Sequence, residues 1–255
     1  MPAPTSSPES LASASRVFVV ADAHLGQVPP AVTAAFHRFL ETVPHPGDAV
    51  VINGDLFDFW FEYRTVVPRR HFESLSRLHA TVARGIPIAF IGGNHDRWGG
   101  DFLRRDIGVA YFAGPTELTL AGRRSFVAHG DGLTETHWTG AFTHWLLRHP
   151  VTVAVFRTLH PTIGFWIADK LSRGLADNTR HRAILDRAEA AQATFAQRLL
   201  VERPELGLVV LAHTHRAHLE RRADGRSYVN PGAFLDGGRY AVVTRETVEL
   251  QTFPF

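Results

Sequence analysis

Five apolar runs in this chain end in side chains that a hydrophobic core has no use for. Residues 17–21 run into Asp22-Ala23-His24, and residues 50–52 into Asn53-Gly54-Asp55. Residues 86–91 run into Gly92-Gly93-Asn94-His95-Asp96, residues 125–128 into His129-Gly130-Asp131, and residues 208–212 into His213-Thr214-His215. Short apolar runs closed by turn residues read as buried strands. In open α/β sheets ligands bind beyond the carboxyl ends of the strands. The stretch Ile52-Asn53-Gly54-Asp55-Leu56-Phe57-Asp58 is the centre of this pattern. Asp55 sits just past a tight turn, and its two oxygens can each take a different cation.

The segments between the first three runs carry helical periodicity. Val32, Phe36, Phe39, Leu40 and Val43 recur at helical spacing, and Pro44 and Pro46 end that pattern. Residues 70–84 form the next helix, with Phe72, Leu75, Leu78 and Val82 on one face and Gly85 behind it. Strand, helix, strand, helix, strand at this spacing argues for parallel βαβ units and an α/β class. Residues 118–120 and 124–128, around Ala121-Gly122-Arg123, read as a hairpin. Strand character returns at Leu208 and continues at 227–230, 240–244 and 248–253.

At 255 residues the chain can bury a full core unaided. One large domain over 16–255 is expected, with two smaller domains as the alternative. Residues 1–15, rich in Ser, Pro and Ala, read as a disordered tail rather than a signal peptide. There are no cysteines, so disulfides and thiolate metal sites are excluded and any metal must use N and O ligands. The 27 basic side chains against 25 acidic ones leave a net charge of +2, too small for a nucleic-acid footprint. No window is apolar for long enough to span a membrane. The cytoplasm is the expected compartment.

Residues 134–200 break the strand–helix rhythm. They look helical, with residues 178–200 as one long helix, and they are rich in aromatics: Trp138, Phe142, Trp145, Phe156, Phe165 and Trp166. Arg148, Arg157, Lys170, Arg173, Arg180 and Arg182 are interleaved. Over residues 137–173 such an insertion either packs its own core or forms a lid, lining an acyl-chain pocket or touching a membrane surface with cations at headgroup level. The concentration of aromatics favours the lid. By contrast, the aromatic cluster at 57–61 reads as core, and Asn230-Pro231-Gly232 as a turn.

Asp22 with His24, and His213 with His215, are i, i+2 pairs. In extended chain such pairs point the same way and can reach one cation. Imidazole with carboxylate suits borderline divalent metals, so Mn²⁺, Fe²⁺, Zn²⁺ or Co²⁺ is expected, whereas Mg²⁺ and Ca²⁺ prefer oxygen alone. Two such ions roughly 3.5–4 Å apart clamp a phosphoryl group and activate water at neutral pH. His95 has a separate expected role, donating a proton to the leaving-group oxygen, with Asp96 holding it in place and favouring its charged form. Asp58 and Asp131 either orient a ligand from behind or cap a helix. The remaining ten histidines read as ordinary surface or core residues.

These motifs, in this order and at this spacing, resemble those of the calcineurin-like metallophosphoesterases: Asp22-x-His24, Gly54-Asp55-x-x-Asp58, Gly93-Asn94-His95-Asp96, His129-Gly130-Asp131 and Ala212-His213-Thr214-His215. The resemblance runs over residues 17–255. It implies a four-layer α/β/β/α metallophosphoesterase sandwich, here with a helical lid insertion. It also implies two ions, one held by Asp22, His24, Asp55 and His215, the other by Asp55, Asn94, His129 and His213. More narrowly, residues 22–26, 54–60, 129–133 and 248–255 resemble the UDP-2,3-diacylglucosamine diphosphatases of lipid A synthesis, in the branch with Gly-Asn-His-Asp. Residues 159–173 resemble that branch's lid. His95 stands where the best-known enterobacterial form has Arg, and Ala212 where the last motif usually opens with Gly. That resemblance implies hydrolysis of a nucleotide-linked lipid sugar, with Asn94, His95, His213 and Arg173 touching substrate. The alternatives are a dimetal phosphatase for a soluble phosphoester or nucleotide, and a binding scaffold; the intact ligand set speaks against the scaffold.

Overall fold

A computed structural model describes residues 6–133, 149–167, 170 and 182–255. Among these residues the strands form two sheets. The first comprises β1 (Arg16–Val20), β2 (Asp48–Asn53), β3 (Ile88–Ile91), β4 (Ala110–Phe112), β10 (Arg239–Val243) and β11 (Val248–Thr252), in the order β11-β10-β1-β2-β3-β4. Its central strands β1 to β4 are parallel. The second comprises β5 (Thr116–Leu120), β6 (Arg123–Val127), β7 (Leu208–Val210), β8 (His218–Arg221) and β9 (Ser227–Asn230), ordered β5-β6-β7-β9-β8. There β6, β7 and β9 run parallel.

Period-two alternation divides the first sheet's side chains between two cores. Phe18, Val20, Val50, Ile52, Ile88 and Phe90 face α2 (Pro30–Thr42) and α3 (Phe72–Ala83), which bury Phe36, Phe39, Leu40, Leu75, Leu78 and Val82 against them. Val17, Val19, Ala49, Val51, Ala89 and Ile91 point the other way, onto Leu118, Leu120, Val127, Leu208, Val210 and Val229 of the second sheet. The outer face of that sheet is covered by a long helix, Arg182–Glu202, through Ala196 and Leu200 on Val209, Leu211 and Tyr228. The result is the four-layer α/β/β/α order. Each apolar side chain fully buried in these cores contributes about 1.5–3 kcal/mol.

The disordered tail expected for residues 1–15 is corrected over its described part. Residues Pro8–Ala12 form a short helix, α1, closed at its start by a Ser7–Ser10 capping box. Leu11 is fully buried in the inter-sheet core, and its carbonyl accepts from Ala121 N at 3.1 Å. One well-placed leucine overrides the polar composition around it. The short strands β4 and β8 were not anticipated; three or four residues leave too little alternation to read.

Of the insertion at 134–200, the structure describes Pro150–Thr158 (α4), a helical stretch at 161–167, and the long helix, α5, over Arg182–Glu202. Arg173 and Trp138, Phe142 and Trp145 lie outside the described residues. The described helices sit on the loop after β2. Phe156 meets Phe61 at 4.7 Å and Trp98 at 5.2 Å between ring centroids, and Phe165 meets Phe59 at 5.7 Å. The 57–61 cluster is core, as expected: Phe57, Trp60 and Phe61 are buried.

Candidate metal centre

Asp22 and His24 follow β1, Asp55 follows β2, and Asn94 and His95 follow β3. His129 follows β6, and His213 and His215 follow β7. All of these are carboxyl ends of parallel strands, so the two sheets present their tips to one place. Asp22, His24 and His215 offer ligand atoms that all lie within 4.8 Å of one another; so do His24, Asp55 and His95, and so do Asp55, His129 and His213. Asp55 belongs to two of these groups. Its Oδ2 is 3.2 Å from His129 Nε2 and 3.9 Å from His24 Nε2.

The candidate ligands reach these positions by a backbone route the sequence does not announce. Of the six non-glycine residues with positive φ among the described residues, five are Asp22 (51°), His24 (46°), Asp55 (51°), His213 (72°) and His215 (59°). The extended i, i+2 geometry expected for the Asp22/His24 and His213/His215 pairs is therefore corrected: Asp22 and His24 converge through left-handed residues, whereas His213 and His215 part, the first towards Asp55 and His129 and the second towards Asp22 and His24. Each such residue costs on the order of 1–3 kcal/mol and persists only where its surroundings over-determine it. Here they do. Asp55 O accepts from both Ala23 N and His24 N at 3.0 Å, Asp22 N donates to Gly54 O at 3.1 Å, and His213 N donates to Asp22 Oδ2 at 3.2 Å. Glycine is required beside the ligands as well: a Cβ on Gly93 would fall 2.3 Å from Asp55 Oδ1, and one on Gly54 2.3 Å from His129 Nδ1.

Asp96 has a different role from the one expected. Its buried carboxylate accepts from Gly93 N (2.8 Å), Leu56 N (2.7 Å), Asp55 N (3.2 Å) and Phe57 N (3.3 Å), so it shapes the loop that carries Asp55. The His95 ring is held instead by the Asp58 carbonyl, 2.6 Å from its Nδ1, which leaves Nε2 facing the centre. Neither helix-capping reading survives. Asp58 orients His95 through its main chain while its carboxylate meets Arg70 and His71, and Asp131 pairs with Arg97. His129 Nδ1 donates to Asn53 O at 2.8 Å, fixing the tautomer that leaves Nε2 free for a cation.

Burial pushes His24 down to about 4 and also lowers His213, with His129 adding to the latter, so both rings are neutral at pH 7. For Asp22 and Asp55 burial works upward, but His215 and His129 around Asp22, and His129 and His95 around Asp55, hold both carboxyls below the usual range. Burial opposes charge on His129 and His215, yet Asp55 and Asp22 raise the first and Asp22 the second above the ordinary histidine value. Burial and then Asp55 push Asp96 up to about 7, against the pull of its N–H donors.

The residues fit divalent cations. Asp22 Oδ1, His24 Nε2, Asn94 Oδ1 and His129 Nε2 are buried with no protein hydrogen bond of acceptable geometry among the described residues, and the first, second and fourth belong to the convergent groups. Several orphaned polar atoms in one place would each cost about 1–3 kcal/mol unless something pairs with them. Imidazoles with carboxylates and an amide, and no thiolate, suit Mn²⁺, Fe²⁺, Co²⁺ or Zn²⁺. Because the neighbouring carboxylates raise His129 and His215 above the ordinary histidine value in the metal-free protein, a metal must compete with protons at both rings. Calorimetric titration of the metal-free protein in buffers of different ionisation enthalpy is expected to show proton release, with affinity rising as pH is raised through the pKa values of these two groups. Buffer-independent heats would contradict the assignment.

Sequence reasoning missed the buried amides of Gln192 and Asn230, which support the loop of His213 and His215. Asn230 did carry a signal, since it ends the apolar strand β9 much as the ligands end theirs. Gln192, on an amphipathic helix, carried none.

Comparison with known proteins agrees with this geometry. Residues 15–217 match the family model described as calcineurin-like phosphoesterase. A protein of Porphyromonas gingivalis named UDP-2,3-diacylglucosamine hydrolase is 26% identical, over 93% of this chain and 97% of its own length. Proteins of the same name from Klebsiella pneumoniae and from Enterobacter sp. are 32% and 31% identical, each over 92% of this chain and 98% of theirs. With its fold, its strand-tip cluster of Asp and His and its sequence all in agreement, this chain belongs to the calcineurin-like phosphoesterases and is a metal-dependent phosphoester hydrolase.

Proposed function

We propose that this enzyme hydrolyses the pyrophosphate of a UDP-linked diacylated glucosamine, giving UMP and the lipid sugar 1-phosphate. The observation that carries this reading is likeness along nearly the whole chain, insertion included, to hydrolases named for that substrate. Two divalent ions, Mn²⁺ first among them, are proposed, held by Asp22, His24, Asp55 and His215 and by Asp55, Asn94, His129 and His213. When bound, they supply Lewis acidity at phosphorus and a lowered pKa for the attacking water. Asp55 stands between the two sets, and Asp96 keeps its loop in place. Water adds to one phosphorus, the bridging P–O bond breaks, and His95 passes a proton to the departing oxygen. Asn94, His95, His213 and Arg173 are the proposed substrate contacts.

The insertion supplies selection. Its described helices keep Phe156 and Phe165 against the rim of the centre while Val151, Val155, Ile163 and Trp166 remain more than half exposed. Lys170 Nζ lies 4.5 Å from the Trp166 ring centroid. Apolar side chains with a cation at their edge suit a bilayer interface. No described helix is long and apolar enough to cross a membrane; the exposed apolar residues with Lys170 at their edge support peripheral contact, on the cytoplasmic face of the inner membrane. Changing Val155 and Trp166 together to Glu should abolish co-sedimentation with anionic phospholipid vesicles and leave turnover of a water-soluble phosphodiester intact. Unchanged vesicle binding would exclude the lid as the contact.

The substrate itself is tested by comparing kcat/KM on the diacylated compound, its deacylated counterpart and simple nucleotides. Each CH₂ removed from an apolar pocket should cost about 0.8 kcal/mol of binding. Equal turnover of the deacylated compound or a plain nucleotide would replace the lipid reading with a dimetal phosphatase for soluble phosphoesters.

A further inference from the structure

The loop over residues 212–215 carries two ligands, and both have left-handed backbones: His213 at φ 72° and His215 at 59°. Something must hold it. The hydrogen bonds come from two buried amides distant in sequence. Asn230 Nδ2 donates to Ala212 O at 3.2 Å and to Thr214 Oγ1 at 3.0 Å, while its Oδ1 accepts from Gly232 N at 2.9 Å. Gln192 Nε2, on α5, donates to Ala212 O at 3.0 Å, and its Oε1 lies 3.3 Å from Asn230 Nδ2. Gln192, Asn230 and Thr214 are each 1% exposed. A full set of bonds around one carbonyl, sealed from water, is a rigid device.

Gln192 also touches a second ligand loop. A Cβ on Gly130 would fall 2.4 Å from Gln192 Nε2, so the amide rests against the residue after His129. Gln192 thus stands behind His129 and His213 at once, and both are grouped with Asp55. Asp22 and His24, grouped with His215, sit on the tip of β1 in the other sheet and have their own hydrogen bonds to Gly54 and Asp55. The set of Asp55, His129 and His213 thus has two of its members backed by Gln192, whereas the set of Asp22, His24 and His215 shares only His215 with this loop.

We propose that Gln192 and Asn230 are positioning residues for one ion of the pair, the one taken by Asp55, His129 and His213. This rests on the two-ion reading above. Groups behind a ligand typically govern 10–100-fold in metal affinity. The test is Mn²⁺ titration of the metal-free, full-length protein, followed by the electron paramagnetic resonance signal of free, isolated and exchange-coupled Mn²⁺. Gln192→Met keeps volume and removes the amide. Asn230→Asp keeps the acceptor for Gly232 and removes the donors. Each is expected to weaken the ion of Asp55, His129 and His213 about 10–100-fold, to weaken the other markedly less, and to lose the coupled signal at Mn²⁺ levels that saturate the wild type. Gln192→Met should add little to His129→Ala, which removes the same ion, and should abolish tight uptake when combined with His24→Ala. Leu200→Ala, on the same helix, matches a general loss of stability and should leave both affinities unchanged. If Asn230→Asp fails to fold, Gln192→Met carries the test alone. Wild-type affinity for both ions in a folded Gln192→Met protein, equal weakening of both ions, or the same effect from Leu200→Ala would overturn the proposal. A wild type that takes up one ion only would overturn the two-ion reading itself.

Discussion

Asp55→Ala is expected to remove nearly all activity and at least one bound ion. One carboxylate oxygen lies between His129 and His24, at 3.2 and 3.9 Å, and the other accepts from His95 N at 2.9 Å. Losing one preorganised electrostatic group at a reacting centre costs about 10²–10³ in rate. Asp55 serves both ligand sets, so the loss should exceed that range. Metal content and kcat measured on the same preparation decide the matter. A variant with wild-type metal content and rate would show that Asp55 bridges nothing.

His95→Ala is expected to slow turnover about 10²–10⁴-fold, the usual share of a general acid, with both ions retained. The ring is oriented for that task by the Asp58 carbonyl. Its Nε2 also lies 4.0 Å from Asp55 Oδ2 and shares a ligand-like group with His24 and Asp55. The two roles separate cleanly. An acid matters less when the leaving group is already a weak base, so the loss should shrink on aryl phosphodiesters of acidic phenols. A ligand matters equally for all substrates, and its removal lowers metal content. An equal loss across leaving groups together with a lost ion would assign His95 to the metal.

The strand tips made the centre legible in the sequence. Asp22, Asp55, His129 and His213 each follow a run too apolar to be anything but buried strand, and polar residues there have no role in a core. The α/β class was legible from apolar runs alternating with helical periodicity, while the four layers came from the family resemblance; the structure buries both faces of β1, β2 and β3. What stayed hidden depends on contacts between distant segments. Asp96 is next to His95 in sequence, yet its carboxylate bonds to the Asp55 loop about forty residues earlier. Gln192 meets Asn230 across 38 positions. The buried start of the chain turns on Leu11, one apolar residue among small and polar ones. Left-handed backbone at Asp and His leaves no trace in composition, because the usual signal for it is glycine or asparagine.

That last feature bears on how such a protein can change over generations. Five ligand positions hold a conformation that glycine would adopt with far less strain. The residues proposed to hold the metals are therefore also ones that strain the backbone that carries them. A lineage released from selection on catalysis would find some of its most stabilising substitutions at 22, 24, 55, 213 and 215, and each one accepted would erase a ligand. The same architecture would persist as a sturdier, inert descendant. In this fold, loss of chemistry with retention of shape is a downhill path, and keeping the chemistry requires continuous selection.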